Sequence, residues 1–254
     1  DTLKFQFTST AGAWSTAATM SRGKYTGAGA GIQTSALYFG GNYPPGDNLT
    51  NETEFYNGSS WSELSDLNTA RQNISGGGVK TSALGFGGFV PPGNTVTGAT
   101  ESWNDSSWSN KPNLGTPRLN MGTSGVSNSS ILAFGGDDFT PPTRQQVLTE
   151  AWDGSAWSEV GDLNTARINL GGSGTKTAAL AFGGYDFNPN RTGATEQWNG
   201  TGWTNVNSMN TPGYGLAGCG TVTATLAFGR NAAPGIIAVT EQWNGTSWTE
   251  VADL

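Results

Sequence analysis

The chain has no histidine anywhere in its 254 residues. That removes at once the commonest general base, the commonest metal ligand and the side chain that titrates near neutral pH. It has one cysteine, Cys219, so it has no internal disulfide. The apolar setting LAGCG reads as that of a small buried residue rather than a nucleophile. Charge is scarce too: 12% of residues are Asp, Glu, Lys or Arg, and the net charge is −7. Nucleic acid and anionic membranes are bound through clustered Lys and Arg. The 12 cations here are scattered, and four of them, Arg22, Arg71, Arg118 and Arg167, recur with an internal repeat. No apolar run approaches the roughly 18 residues that a membrane-spanning helix needs. The expectation is therefore no nucleic acid and no membrane insertion.

What the chain does have is glycine, 39 residues of it, set in a regular pattern. A short apolar strand ends in glycine five times: ALYFGG (36–41), ALGFGG (83–88), ILAFGG (131–136), ALAFGG (179–184) and TLAFGR (225–230). The copies lie 47, 48, 48 and 46 residues apart. A period of this length, with only strand-forming chemistry inside it, indicates a radial array of four-stranded sheets. In the copy from 165 to 208, TARINLGGSG is a glycine-rich strand fit to approach its neighbours closely near an axis. TKTAALAFGG is apolar enough to be covered on both faces. After a loop come TEQWNG and TGWTNV, two strands joined at an Asn-Gly step, which predicts a type I′ hairpin turn. All ten tryptophans fall in these third and fourth strands, four of them five residues before a partner Trp. Such pairs are expected to meet on one face and pack between blades.

A glutamate recurs seven residues before a Trp, at Glu54, Glu101, Glu150, Glu196 and Glu241. Recurrence in every copy points to architecture rather than catalysis. A buried carboxylate needs a partner, and the recurrent Arg is the candidate. In the last copy Gly213 stands in the Arg position and Arg230 in that of the second glycine, so Arg230 is expected to substitute.

These residues resemble the kelch repeat, in which an apolar strand ending in Gly-Gly is followed by Tyr and Trp at fixed spacing and by a return loop with Pro or Arg. Here the pattern stands as FGG, TE-x-W-N-G-x-x-W and LNTAR and covers essentially the whole chain. The resemblance implies an all-β fold, a five-bladed kelch-like β-propeller with four-stranded antiparallel blades. Residues 21–254 hold five repeats, and residues 1–20 form a surplus N-terminal half-blade that either closes the ring or binds a neighbour. Kelch domains mostly bind proteins. The enzymatic branch, which resembles galactose oxidase, uses a copper site with histidines this chain lacks, so no cofactor is expected. The WNG-x-SW wording is also similar to repeats in phage and marine-virus structural proteins.

Function is expected where the repeats depart from one another, in the loops after Gly-Gly, all of which leave the same end of their blades. The candidate binding residues are Asn42, Tyr43, Phe89, Val90, Asp137, Asp138, Phe139, Tyr185, Asp186 and Phe187. Asp137, Asp138 and Asp186 form an acidic group, but without the loop pattern of a calcium site. The expected role is a non-enzymatic structural and recognition module, extracellular or on a virion surface. Its expected partners are a protein or a host-surface glycan, with association into a homo-oligomer or with other structural subunits. A lectin-like secreted propeller is the alternative, and a carboxylate-dependent glycoside hydrolase a further one.

Overall fold

A computed structural model of the chain describes residues 2–6, 13–90, 95–140, 144–186 and 190–254. These contain strands and turns and no helix. Five four-stranded antiparallel sheets follow one another as the blades of a β-propeller. Blade 1 is Ala28–Ile32, Ser35–Phe39, Thr53–Tyr56 and Trp61–Glu63, and blade 2 is Ser75–Val79, Ser82–Phe86, Thr100–Trp103 and Trp108–Lys111. Blade 3 is Gly122–Ser127, Ser130–Phe134, Thr149–Trp152 and Trp157–Glu159, and blade 4 is Gly171–Gly174, Ala179–Phe182, Thr195–Trp198 and Trp203–Val206. Blade 5 is Ala217–Thr221, Ala224–Ala232, Gly235–Trp243 and Trp248–Val251. The register is the same throughout: Phe39, Phe86, Phe134, Phe182 and Phe228 lie opposite Thr53, Thr100, Thr149, Thr195 and Thr240.

The first strands are glycine-rich because they pack side by side from blade to blade around the axis. A Cβ on Gly76 would lie 2.6 Å from the Phe39 ring of blade 1, and one on Gly172 2.8 Å from Phe134 of blade 3. The core lies between blades, where the fourth-strand Trp of one blade meets the Phe of the blade before it. Ring centroids are 4.8 Å apart for Phe39–Trp108, 4.9 Å for Phe86–Trp157 and Phe134–Trp203, and 5.2 Å for Phe182–Trp248. Each of these indoles also donates Nε1–H to the threonine of the preceding blade, at 2.9 to 3.1 Å on Thr53, Thr100, Thr149 and Thr195. The paired indoles within a blade lie 5.5 Å apart. The Trp periodicity is thus a core and hydrogen-bonding device, as its recurrence implied.

The turn between third and fourth strands departs from the type I′ expectation. Gly58, Gly154, Gly200 and Gly245 have positive φ, and so does Asp105, but the Asn or Asp before each does not. That side chain instead accepts the amides two and three residues on, as Asn199 does from Thr201 and Gly202 at 2.9 and 3.0 Å. Asn is selected here for its side-chain oxygen, and Asp153 does the same work with a carboxylate.

Strand β1 (Thr2–Gln6) pairs with strand β2 (Ala13–Ala17) in a two-stranded sheet that joins no blade. Phe5 lies opposite Trp14 and Thr2 opposite Ala17, the register of Trp198 opposite Trp203 and Thr195 opposite Val206 in blade 4. β1 and β2 therefore have the register of a blade's third and fourth strands. Phe7, the residue after Gln6, lies outside the described residues.

Candidate functional site

The scaffold beneath the loops is held by buried ion pairs. Arg71, Arg118 and Arg167 bond Glu101, Glu150 and Glu196 at 2.9, 2.8 and 2.9 Å with the guanidinium wholly buried. Each Arg also donates Nη1 to two carbonyls of its blade, for example those of Gly183 and Ala194 at 2.9 and 2.7 Å. The second carboxylate oxygen takes a linker amide, that of Asn68, Gly115, Asn164 or Asn210. Burial lowers the pKa of Arg71, Arg118 and Arg167, and the facing glutamates oppose that shift.

In blade 5 the pair is built from the other side. Arg230 reaches Glu241 at 2.8 Å and bonds the Val239 carbonyl at 3.2 Å. A Cβ on Gly213 would lie 2.7 Å from Cδ of Arg230. The two positions have exchanged Arg and Gly, and each requires the other. In blade 1 the expected Arg22 pairs with Glu52 instead, and Lys24 takes Glu54. The linker residue bonded to Glu54 is Ser21, so Lys24 stands where Arg71 does, three residues beyond Asn68. Burial would raise the Glu54 pKa, but Lys24 and Ser21 together bring it below the usual value.

At the loop end, the residue after each repeat Arg pairs through its backbone with the residue after Gly-Gly, Gln72 with Phe89, Leu119 with Asp137 and Ile168 with Tyr185, and in blade 5 Tyr214 after Gly213 pairs with Asn231 after Arg230. Tyr25 pairs with Asn42 in the same way. The next residue turns left-handed, with φ of 52° at Asn73, 56° at Asn120, 52° at Asn169 and 67° at Gly215. These link in a chain around the axis. The Asn120, Asn169 and Gly215 amides donate to the carbonyls of Asn73, Asn120 and Asn169 at 3.4, 3.0 and 2.8 Å. Asn73 Nδ2 bonds Asn120 Oδ1 at 2.6 Å. The sequence signal is the Asn two residues after each Arg in ARQN, PRLN and ARIN, at the start of a segment that reads as strand.

The loop candidates divide into two groups. Phe89 of blade 2 and Phe139 of blade 3 come together with ring centroids 6.0 Å apart. With Gln72, Asn73, Leu119 and Asn120 they line a cavity of about 250 Å³. Phe139 is exposed, and the Arg144 guanidinium lies 4.1 Å from its ring centre. Tyr185 of blade 4 meets Tyr214 of blade 5 at 5.6 Å, and Tyr43 lies beneath the Arg22 guanidinium at 3.5 Å. These aromatics remain candidates for recognition.

The others serve the loops themselves. Asn42 and Asp137 are buried, and the Asn42 side-chain amide donates to Gln72 Oε1. Asp137 accepts the Phe139 amide at 2.7 Å and holds Arg144 at 2.8 and 3.3 Å. Asp138 caps the Thr140 amide at 2.9 Å, and Val90 pairs with Thr95. Asp186 donates its amide to the Asn190 carbonyl at 3.4 Å. Phe187 lies outside the described residues. Among those residues no group of three His, Cys, Asp or Glu is placed to hold a metal ion.

Compared with known proteins, the chain matches no family model and is significantly similar to no curated protein.

Proposed function

We propose that this kelch-like propeller is a non-enzymatic structural and recognition module of an extracellular or virion-surface assembly. It binds a protein partner through the loops after Gly-Gly and associates with neighbouring copies or other structural subunits. The observation that carries this reading is the meeting of aromatics from adjacent blades at one end, Phe89 with Phe139 and Tyr185 with Tyr214. Variable loops on a repeated scaffold commonly serve recognition, and exposed aromatics are favoured contact residues. The glutamates that hydrolysis would use are each bonded to a cation and a linker amide, which supports binding over catalysis. Imaging with an antibody to the chain tests the placement. Label on the particle or cell exterior supports it, and label confined to the cell interior contradicts it.

A lectin-like reading has its own support. The Phe89–Phe139 cavity is also lined by Gln72, Asn73 and Asn120, a mixture of aromatic and amide residues suited to a sugar. A glycan array run with the protein and with Phe139→Ser distinguishes the two. Glycan signal lost in the variant favours the lectin, and absence of any glycan signal favours the protein partner.

A further inference from the structure

The cavity between the loops of blades 2 and 3 is lined by Gln72, Asn73, Phe89, Leu119, Asn120 and Phe139, none of them charged. Its volume of about 250 Å³ lies below the roughly 300 Å³ at which sites for whole small molecules begin. It has room for one side chain. The two rings meet edge to face, 6.0 Å apart at 76°, and form a notch rather than a flat platform. The Arg144 guanidinium stands over the Phe139 ring at 4.1 Å and takes one of the two faces on which a sugar could stack.

Phe139 is held in this place against its backbone preference. Its φ is 59°, a left-handed conformation that a bulky aromatic residue seldom adopts, and it is 38% exposed. The Asp137 carboxylate fixes the arrangement, accepting the Phe139 amide at 2.7 Å and pairing with Arg144 at 2.8 Å. Strain of this kind persists only where the surroundings over-determine it, and it concentrates where ligands are held. The carboxamides of the lining are set as well. Gln72 Oε1 accepts from the buried Asn42. Asn73 Nδ2 donates to Asn120 Oδ1 at 2.6 Å, and no hydrogen bond among the described residues takes up Asn73 Oδ1 or Asn120 Nδ2. One acceptor and one donor are left on adjacent carboxamides, the pair that a peptide group complements with its N–H and C=O.

We propose that this cavity is the anchor site for a protein partner that inserts one aromatic side chain from an extended, uncharged segment. The ring enters the Phe89–Phe139 notch and extends its edge-to-face cluster, and the adjoining peptide group bonds Asn73 and Asn120. A charged anchor would be left unpaired against this lining. Aromatic anchors seated in such pockets commonly carry most of an interface's affinity. The assignment rests on the reading of the loop end as a protein-binding face.

The test follows the side-chain amide signals of Asn73 and Asn120 by nuclear magnetic resonance in the isotope-labelled full chain. The probes are the N-acetyl α-amides of phenylalanine and of aspartate, and methyl glucopyranoside. Saturable shifts of both signals with the phenylalanine probe, and none with the aspartate probe, are the expected result. Phe139→Ala should weaken that binding at least about fivefold, because paired rings contribute beyond their buried area. Tyr185→Ala, at the other aromatic boundary, should leave it unchanged. Equal response to the two amino acid probes, or no saturable shift with either at millimolar concentration, would overturn the proposal. Shifts confined to the Tyr185–Tyr214 boundary would remove this site and leave recognition by the loop end standing. Saturation by the glucopyranoside alone would contradict the protein-binding reading itself.

Discussion

Trp14 Nε1 donates to Thr240 Oγ1 at 3.1 Å across 226 residues of chain. This is the bond that Trp108, Trp157, Trp203 and Trp248 make to the threonine of the blade before them. The N-terminal strands thus occupy the place next in order after blade 5. The propeller is an array of five blades whose sixth place is held by a half-blade.

The exchanged Arg and Gly of blade 5 predict a compensated pair. Arg230→Gly leaves the buried Glu241 without its cation and is expected to cost about 3–5 kcal/mol in urea unfolding. Gly213→Arg alone is expected to destabilise by crowding the Arg230 side chain. The double variant restores the arrangement of the other blades and is expected to recover more than half of the loss. A double variant no more stable than Arg230→Gly would show that the two positions are not coupled.

Ser173 and Cys219 share a register position, opposite Leu180 and Leu226, but Ser173 is buried and Cys219 exposed. Ser173→Leu drives a large side chain into blade 5 and removes the bond to Thr225, with an expected loss of about 1–3 kcal/mol. Cys219 is exposed, and Cys219→Leu should change stability by no more than about 0.5 kcal/mol. Equal losses would mean that the first strand of blade 5 is covered.

Acid stability carries the mark of one turn. Asp153 accepts the Ala156 amide, the Ser155 hydroxyl and the Ser155 amide, which lower its pKa from 3.8 to about 2. A lowered folded pKa contributes stability that is present above the unfolded value and lost as pH falls through the folded one. Asp153→Asn keeps the turn, as Asn57, Asn104, Asn199 and Asn244 do. It should flatten the decline of melting temperature between pH 3.8 and about 2. An unchanged decline would mean that Asp153 does not titrate there.

The left-handed asparagines predict a conformational order. Asn169→Gly should be nearly neutral, because glycine adopts a φ of 52° freely and stands in the equivalent place as Gly215. Asn169→Val should lose about 1–2 kcal/mol through backbone strain. Equal melting temperatures for the two variants would contradict the strained geometry.

Much of this was legible in the repeat. FGG, TE and LNTAR gave the blades, and the Gly213–Arg230 departure pointed to the replacement cation. What stayed hidden depended on neighbours. Arg22 resembled the repeat Arg, but the pairing follows distance along the chain from the linker amide of Ser21, which selects Lys24. Asn42 and Asp137 have the composition of exposed loop residues but are buried, with their side chains bonded to Gln72 and Arg144. The LAGCG setting of Cys219 matches that of buried first strands, yet Cys219 is exposed, because burial of a first strand depends on what packs beside it rather than on its own sequence. Of the loop aromatics, the sequence placed Phe89 and Phe139 at one end, but their meeting across a blade boundary depends on tertiary packing.

The placement of the half-blade is tested most directly by a double-mutant cycle on Trp14→Phe and Thr240→Val. The same cycle on Trp203→Phe and Thr149→Val serves as reference. Both pairs should show coupling of about 0.5–1.5 kcal/mol, since each cycle isolates the same kind of indole–hydroxyl bond. Coupling in the Trp203–Thr149 cycle and none in the Trp14–Thr240 cycle would contradict the account, because β2 would then not be docked on blade 5.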